Sequence, residues 1–159
     1  MARTDLFLPD DAATTRFGAQ LAEALRPGDL LALSGDLGAG KTALARAVIR
    51  ALLGDALLEV PSPSFALVQP YAGTGTAILH ADLYRLAAAG DIAELGLFDD
   101  PEAIVLVEWP ERAPELLAAA NYKIHLAIPT GGEGRTLTIE AASGGELDFR
   151  GAARSNPRP

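Results

Sequence analysis

Apolar residues recur at four-residue intervals near the start of the chain. Phe17, Leu21 and Leu25 share one helical face across DAATTRFGAQLAEAL, with acids at its head and RPGD as a stop, so the pattern predicts a helix over 11–25. DLLALS (29–34) is a short apolar run that ends in a glycine-rich turn. KTALARAVIRALLG (41–54) then returns to helical spacing and closes on Gly54, a residue suited to a left-handed cap. In 57–71 the Pro61/Pro63 pair predicts a loop between two short extended pieces, because proline biases its predecessor away from helix. TAILHADLYRL (76–86) and AIVLVEW (103–109) are apolar runs that each meet an acid near their end, and the second has the continuity of a strand buried on both faces. YKIHLAIPT and RTLTIEAA alternate around GGEG: Tyr122, Ile124, Leu126 and Ile128 line one face and Leu137 and Ile139 answer them, the pattern of an antiparallel hairpin. The sum predicts an α/β fold whose sheet has a parallel part and an antiparallel C-terminal extension.

The turn after DLLALS carries chemistry. GDLGAGKT fits G-x-x-x-x-G-K-[ST] at Gly35, Gly40, Lys41 and Thr42. Backbone N–H groups must curl around a phosphate, which calls for glycine where a side chain would intrude, and the following helix adds a partial positive charge. Lys41 is then the candidate for β- and γ-phosphate oxygens and Thr42 for Mg²⁺. The central sheet is therefore expected to be P-loop NTPase-like, mostly parallel near the phosphate loop. Such a nucleotide also needs an acid near the metal and the attacking group. Glu108, ending AIVLV, is placed to hold Mg²⁺ or its water, and Asp82, ending AILHA, to orient or deprotonate a water. For either acid the alternative is a carboxylate facing solvent at a strand end. Trp109 reads as a nucleotide or partner contact or as a core residue, and His80 and His125 as structural, since two isolated histidines do not make a metal site.

Composition narrows the setting. One domain over 1–150 and a mobile tail over 151–159 suit a chain of 159 residues, and the RGAARSNPRP ending lacks apolar periodicity. There is no cysteine, which removes disulfides, thiolate nucleophiles and sulfur-ligated zinc together. The N-terminus lacks the apolar core of a signal peptide, and no apolar stretch approaches the roughly 20 residues that span a bilayer, so the expected location is the cytoplasm, with no membrane partner. With 21 acids against 13 bases the formal charge is −8, and no Lys/Arg cluster offers a basic face for nucleic acid. Any link to nucleic acid is expected to be indirect.

GDLGAGKT, VPSPSF, HADLYRL and EWPER follow one another in this order, and with these blocks the chain resembles the TsaE family, the ATPase component of bacterial tRNA threonylcarbamoyladenosine biosynthesis. The resemblance runs from about Thr14 to Pro110 and continues in pattern through the C-terminal hairpin. It implies ATP contacts along Gly35, Asp36, Leu37, Gly38, Ala39, Gly40, Lys41, Thr42 and Ala43, Mg²⁺ held by Thr42 with help from Glu108, and hydrolysis served by Asp82 together with Lys41. It also implies a switch loop at Ser62, Pro63 and Ser64, where Ser64 stands in place of the usual threonine. Thr14, four residues before Gly18, matches the family's N-terminal T-x-x-x-G on the adenine side, with Thr15 as a competing reading. ATP is favoured over GTP because the N-K-x-D element usual in guanine-specific relatives is missing. The implied role is accessory: modification of adenosine 37 in tRNAs reading ANN codons is carried out by TsaD with TsaB, and this protein docks there and hydrolyses ATP, weakly when alone. Two other readings share the motifs. One is a nucleotide-gated adaptor with incidental hydrolysis. The other is a small-molecule P-loop kinase, disfavoured because Arg85, Arg112 and Arg135 form no lid-like cluster in the sequence.

Overall fold

The computed structural model describes residues 2–63, 66–73, 75–86 and 89–142. Seven strands form one sheet in the order β1 (Ala2–Leu8), β7 (Arg135–Ala141), β6 (Tyr122–Ala127), β2 (Leu30–Ser34), β5 (Ile104–Glu108), β4 (Ala77–Asp82), β3 (Val68–Ala72). The middle is parallel: β2 pairs with both β5 and β6, and β5 with β4. The wings are antiparallel, β3 on β4 at one edge and the β6–β7 pair with β1 at the other. This is the expected α/β architecture, with the parallel strands bracketing the phosphate loop and an antiparallel C-terminal hairpin.

Alternation along the buried strands divides two cores. Leu31, Leu33, Ile78, Ile104 and Leu106 face the layer of α1 (Asp11–Ala24) and α2 (Lys41–Leu53), where Phe17, Leu21, Leu44 and Val48 are buried. Leu30, Ala32, Ala81, Val105 and Val107 face the opposite side, covered by Leu83, Leu97 and Leu116, the last in α3 (Pro114–Ala119). All five residues of β5 are buried, which is why its sequence reads as an unbroken apolar run ended by one acid.

Local signals explain the helix ends. Asp10 caps α1, its Oδ1 accepting from the Ala13 N–H at 2.9 Å. α2 closes on Gly54 at φ 64°, whose N–H reaches the Arg50 and Ala51 carbonyls. Gly18 lets the two helices touch: a Cβ there would lie 2.5 Å from the Ala47 Cβ.

Three elements differ from the sequence reading. β1 was not anticipated; it adds to β7 through seven paired positions. The stretch 57–63 forms no strand, and α2 holds it by side chains instead: Arg50 Nε donates to the Leu58 carbonyl at 2.8 Å and Arg46 Nε to the Val60 carbonyl at 3.2 Å. Ile128 lies beyond the end of β6 and is 48% exposed, so the apolar face of that strand stops at Leu126. The proposed tail over 151–159 lies outside the described residues. Among the described residues, no helix is long and apolar enough to cross a membrane.

Candidate nucleotide-binding site

The loop 35–40 joins the end of β2 to the start of α2. Gly35 has φ 140°, and a Cβ on it would fall 2.4 Å from the Leu126 carbonyl oxygen, so the entry to the loop is pressed against β6. Gly40, at φ 103°, opens α2 with no side chain capping the helix, which leaves the first backbone N–H groups without the side-chain acceptor that usually serves a helix start. A Cβ on Gly40 would meet nothing within 4 Å. Close packing requires glycine at 35, whereas backbone conformation beside open space requires it at 40.

Register brings the two strand-end acids together. β4 and β5 run parallel with Asp82 directly beside Glu108. Ile78, His80 and Asp82 alternate onto the face that also carries Ile104, Leu106 and Glu108, the face toward α2. Glu108 is 2% exposed, and its Oε1 accepts from the Thr42 hydroxyl at 2.8 Å. Its Oε2 meets His80 Nε2 at 2.6 Å. Asp82 is only half-buried: Oδ2 accepts from the Ser62 hydroxyl at 2.8 Å and Oδ1 from the Tyr84 N–H at 3.0 Å.

Lys41 is folded back on the loop. Its ammonium donates to the Gly35 and Asp36 carbonyls at 2.5 and 2.9 Å and lies 4.3 Å from the centroid of the Trp109 ring. Burial pushes the Lys41 amine below its usual value, and the nearby Glu108, Glu111, Asp82 and Asp36 offset this only in part. Trp109 holds a left-handed backbone conformation, φ 59° and ψ 49°, uncommon for a bulky residue; its N–H donates to the Leu33 carbonyl at 3.2 Å. Its ring packs against Tyr84 with centroids 4.9 Å apart.

Lys41, Thr42, Ser62, Asp82, Glu108 and Trp109 thus line one cavity of about 280 Å³ over the phosphate loop, together with Leu37, Gly38, Gly40 and Ala43. Ala39 is buried beneath the loop, whereas Asp36 is exposed. Thr14 lines a neighbouring cavity of about 270 Å³ on the other side of the loop, with Gly40, Ala43 and Arg135. Thr15 does not line it; both threonines border a larger groove of about 520 Å³ between α1 and α2, which meets the site only near Ala43. Pro63 is buried, and Ser64 lies outside the described residues.

Two residues escaped the sequence reading. His80 reads there as a structural histidine, and it is fully buried, yet its partner is the carboxylate nearest Thr42; the signal was its position two residues before Asp82, which puts both on one strand face. Arg135 reads as isolated, but its guanidinium donates to the Gly38 carbonyl at 3.1 Å and to the Gly134 carbonyl, tying the β6–β7 turn to the phosphate loop. No sequence signal announces a contact across 97 positions.

The donor set suits a hard cation. Mg²⁺ commonly takes one or two protein oxygens and completes its octahedron with phosphate and water, so the Thr42 hydroxyl beside one carboxylate is a sufficient protein contribution. The Thr42 hydrogen is already engaged by Glu108, which leaves the oxygen lone pairs for a metal.

A family model described as Threonylcarbamoyl adenosine biosynthesis protein TsaE matches residues 8–137. Several curated relatives carry the name tRNA threonylcarbamoyladenosine biosynthesis protein TsaE. The one from Rickettsia felis is 36% identical over 124 residues, 77% of this chain and 72% of the relative. The one from Synechocystis is 40% identical over 121 residues, 70% and 73% of the two chains. The one from Haemophilus influenzae is 34% identical over 127 residues, 76% and 79%. Bacillus subtilis YdiB, a crystal structure, superposes with a TM-score of 0.69 over 89% of this chain and 87% of its own, and at 24% identity that likeness speaks for the fold. By the span of the family match and the identity to these relatives, the chain belongs to the TsaE family.

Proposed function

We propose that this protein binds and hydrolyses ATP with Mg²⁺ in support of threonylcarbamoyladenosine formation at adenosine 37 of tRNAs reading ANN codons, acting on the TsaB–TsaD complex and touching tRNA only indirectly. The observation that carries this is the convergence of Lys41, Thr42, Glu108 and Asp82 on one cavity over an uncapped helix start. The names of the relatives supply the pathway. The acidic balance, 21 acids against 13 bases, fits a subunit that serves a protein complex and leaves the nucleic acid to others.

Each residue has a task in this reading. Backbone N–H groups of 38–43 receive the β-phosphate, and Lys41 leaves its carbonyl partners to meet β- and γ-oxygens. Thr42 and Glu108 hold Mg²⁺, which when bound neutralises charge on the phosphate oxygens. Asp82 orients the attacking water toward the γ-phosphorus and accepts its proton as the bond from that phosphorus to the β–γ bridging oxygen breaks and ADP leaves. Thr14 flanks the nucleoside on the far side of the loop. Trp109 lies under the Lys41 ammonium and borders the cavity, available to nucleotide or partner.

The Ser62–Asp82 bond also favours a second reading, in which nucleotide occupancy moves the 60s segment and gates an adaptor, with hydrolysis incidental. Both are tested by following ATP hydrolysis and tRNA modification together, with tRNA and the TsaB–TsaD pair. Wild type is expected to sustain multiple turnovers and Lys41→Ala to abolish them; modification indifferent to both proteins would remove the proposal. Retention of modification by Asp82→Asn, with hydrolysis lost, would select the adaptor.

A further inference from the structure

His80 is used by no step above, yet its geometry is specific. It is fully buried on β4, Nε2 lies 2.6 Å from Glu108 Oε2, and Nδ1 has no partner. A carboxylate only accepts, so the shared hydrogen belongs to Nε2. The other histidine with a described contact, His125, is exposed and bonds Ser34, away from the acids. Glu108 therefore has each oxygen committed to one donor, Oε2 to an imidazole that cannot turn in a packed core and Oε1 to Thr42.

We propose that His80 is a positioning residue for the divalent cation: by fixing Oε2 it locks the Glu108 carboxylate in the plane that presents Oε1 and the Thr42 oxygen together. The inference rests on the nucleotide-binding reading above. A carboxylate on a two-carbon stem has rotational freedom about its last bonds, and without a partner for Oε2 it either turns toward Lys41 or draws in water. Partners that orient a metal ligand are worth about 10–100-fold in metal affinity. A histidine that merely filled space would have no such effect.

The test is Mn²⁺ binding to the ADP-loaded protein, read by the loss of free-ion electron paramagnetic resonance signal, with ADP affinity measured separately in EDTA. Three variants separate donor from volume. His80→Gln keeps an N–H near the position of Nε2, His80→Asn carries the same amide one carbon short of it, and His80→Leu fills the space without a donor. His80→Gln is expected to bind Mn²⁺ within about threefold of wild type, while His80→Asn and His80→Leu weaken it about 10–100-fold. ADP affinity in EDTA is expected to be unchanged throughout. Should His80→Leu fail to fold, the Gln and Asn pair carries the comparison. Wild-type affinity in His80→Asn, or equal losses in His80→Gln and His80→Asn, would overturn the positioning role and leave the nucleotide reading intact. An ADP-loaded wild type that takes up no Mn²⁺ would overturn both.

Discussion

Alanine at Gly40 and at Gly35 separates the two reasons for glycine in this loop. At Gly40 the added methyl meets nothing within 4 Å, so its cost to the fold is the backbone conformation alone, φ 103°, on the order of 1–3 kcal/mol. For a domain of this size each kcal/mol lowers the melting temperature by about 2–4 °C, so Gly40→Ala is expected to melt about 2–12 °C below wild type without nucleotide. Gly40 lines the cavity that Lys41 and Thr42 border, and in the proposed cradle its backbone approaches the phosphate, so a methyl there is expected to weaken ADP binding; loss of a single good phosphate contact, about 1.4 kcal/mol, is already tenfold in affinity. Gly35→Ala adds a collision: φ 140° together with a methyl 2.4 Å from a backbone oxygen of β6, which cannot yield without moving the strand. Its cost is expected to exceed that of Gly40→Ala by about 1–3 kcal/mol, the usual range for overpacking. Calorimetric melting of the nucleotide-free proteins and titration with ADP check both limbs. Gly40→Ala binding ADP as tightly as wild type would refute the cradle, and Gly35→Ala melting no lower than Gly40→Ala would refute the packing argument.

Burial holds the Lys41 amine below its usual value in the nucleotide-free protein, so phosphate should be captured together with a proton at alkaline pH. ADP affinity is expected to fall as pH rises through that lowered value, sooner than an ordinary lysine near 10.5 would dictate, and calorimetry in buffers of different ionisation enthalpy reads the uptake. The same shift has a stability consequence of defined sign. Between the lowered native value and 10.5 the unfolded chain binds more protons at this site than the native one, so Lys41's contribution to stability rises with pH across that window, and Lys41→Met removes the rise. Ser62→Ala frees one oxygen of Asp82 and is expected to cost about 0.5–1.5 kcal/mol of stability and to slow hydrolysis while leaving ADP affinity unchanged; an unchanged turnover number would argue that Asp82 needs no such support. Gly18→Ala sets two methyl carbons 2.5 Å apart between α1 and α2 and is expected to destabilise by about 1–3 kcal/mol despite the better helix former, which chemical denaturation measures.

What could be read in the sequence was local or periodic. The run at β5 is continuous because both faces are covered, and its terminal acid stands out for the same reason. The phosphate loop announces itself because chemistry fixes its spacing within eight residues. Contacts that join distant segments left at most a faint mark, such as the two-residue spacing that sets His80 on the strand face of Asp82. His80 meets Glu108 across 28 positions and Arg135 meets Gly38 across 97, and each side chain alone resembles an ordinary buried or surface residue. β1 was missed because its identity as a strand comes from pairing: Leu6 and Leu8 alternate over too short a span to outweigh Arg3 and Asp5 until β7 supplies Leu137 opposite Leu6. The loop at 57–63 was legible from its prolines, but its anchoring was not, since Arg46 and Arg50 read simply as the polar face of α2.

Burial divides the site into two halves of different rigidity. His80 and Glu108 are 0% and 2% exposed, with both Glu108 oxygens taken by donors, so the half assigned to the metal is fixed before any nucleotide arrives. The half assigned to water is built differently. Asp82 is half-buried, its Ser62 partner belongs to a loop without strand pairing, and Leu37 and Tyr84 at the rim are 66% and 41% exposed. Apolar side chains left open beside the carboxylate proposed to orient the water are a poor enclosure for hydrolysis, because water-filled surroundings weaken every charge interaction on which the transition state depends. A partner surface that covers Leu37 and Tyr84 would exclude that water without altering the metal half. Stimulation by the TsaB–TsaD complex is then expected to appear in the turnover number, with ADP affinity nearly constant, and to shrink when Leu37 is replaced by Ser. A stimulation expressed wholly in nucleotide affinity would place the deficiency of the isolated protein in its rigid half and contradict this division.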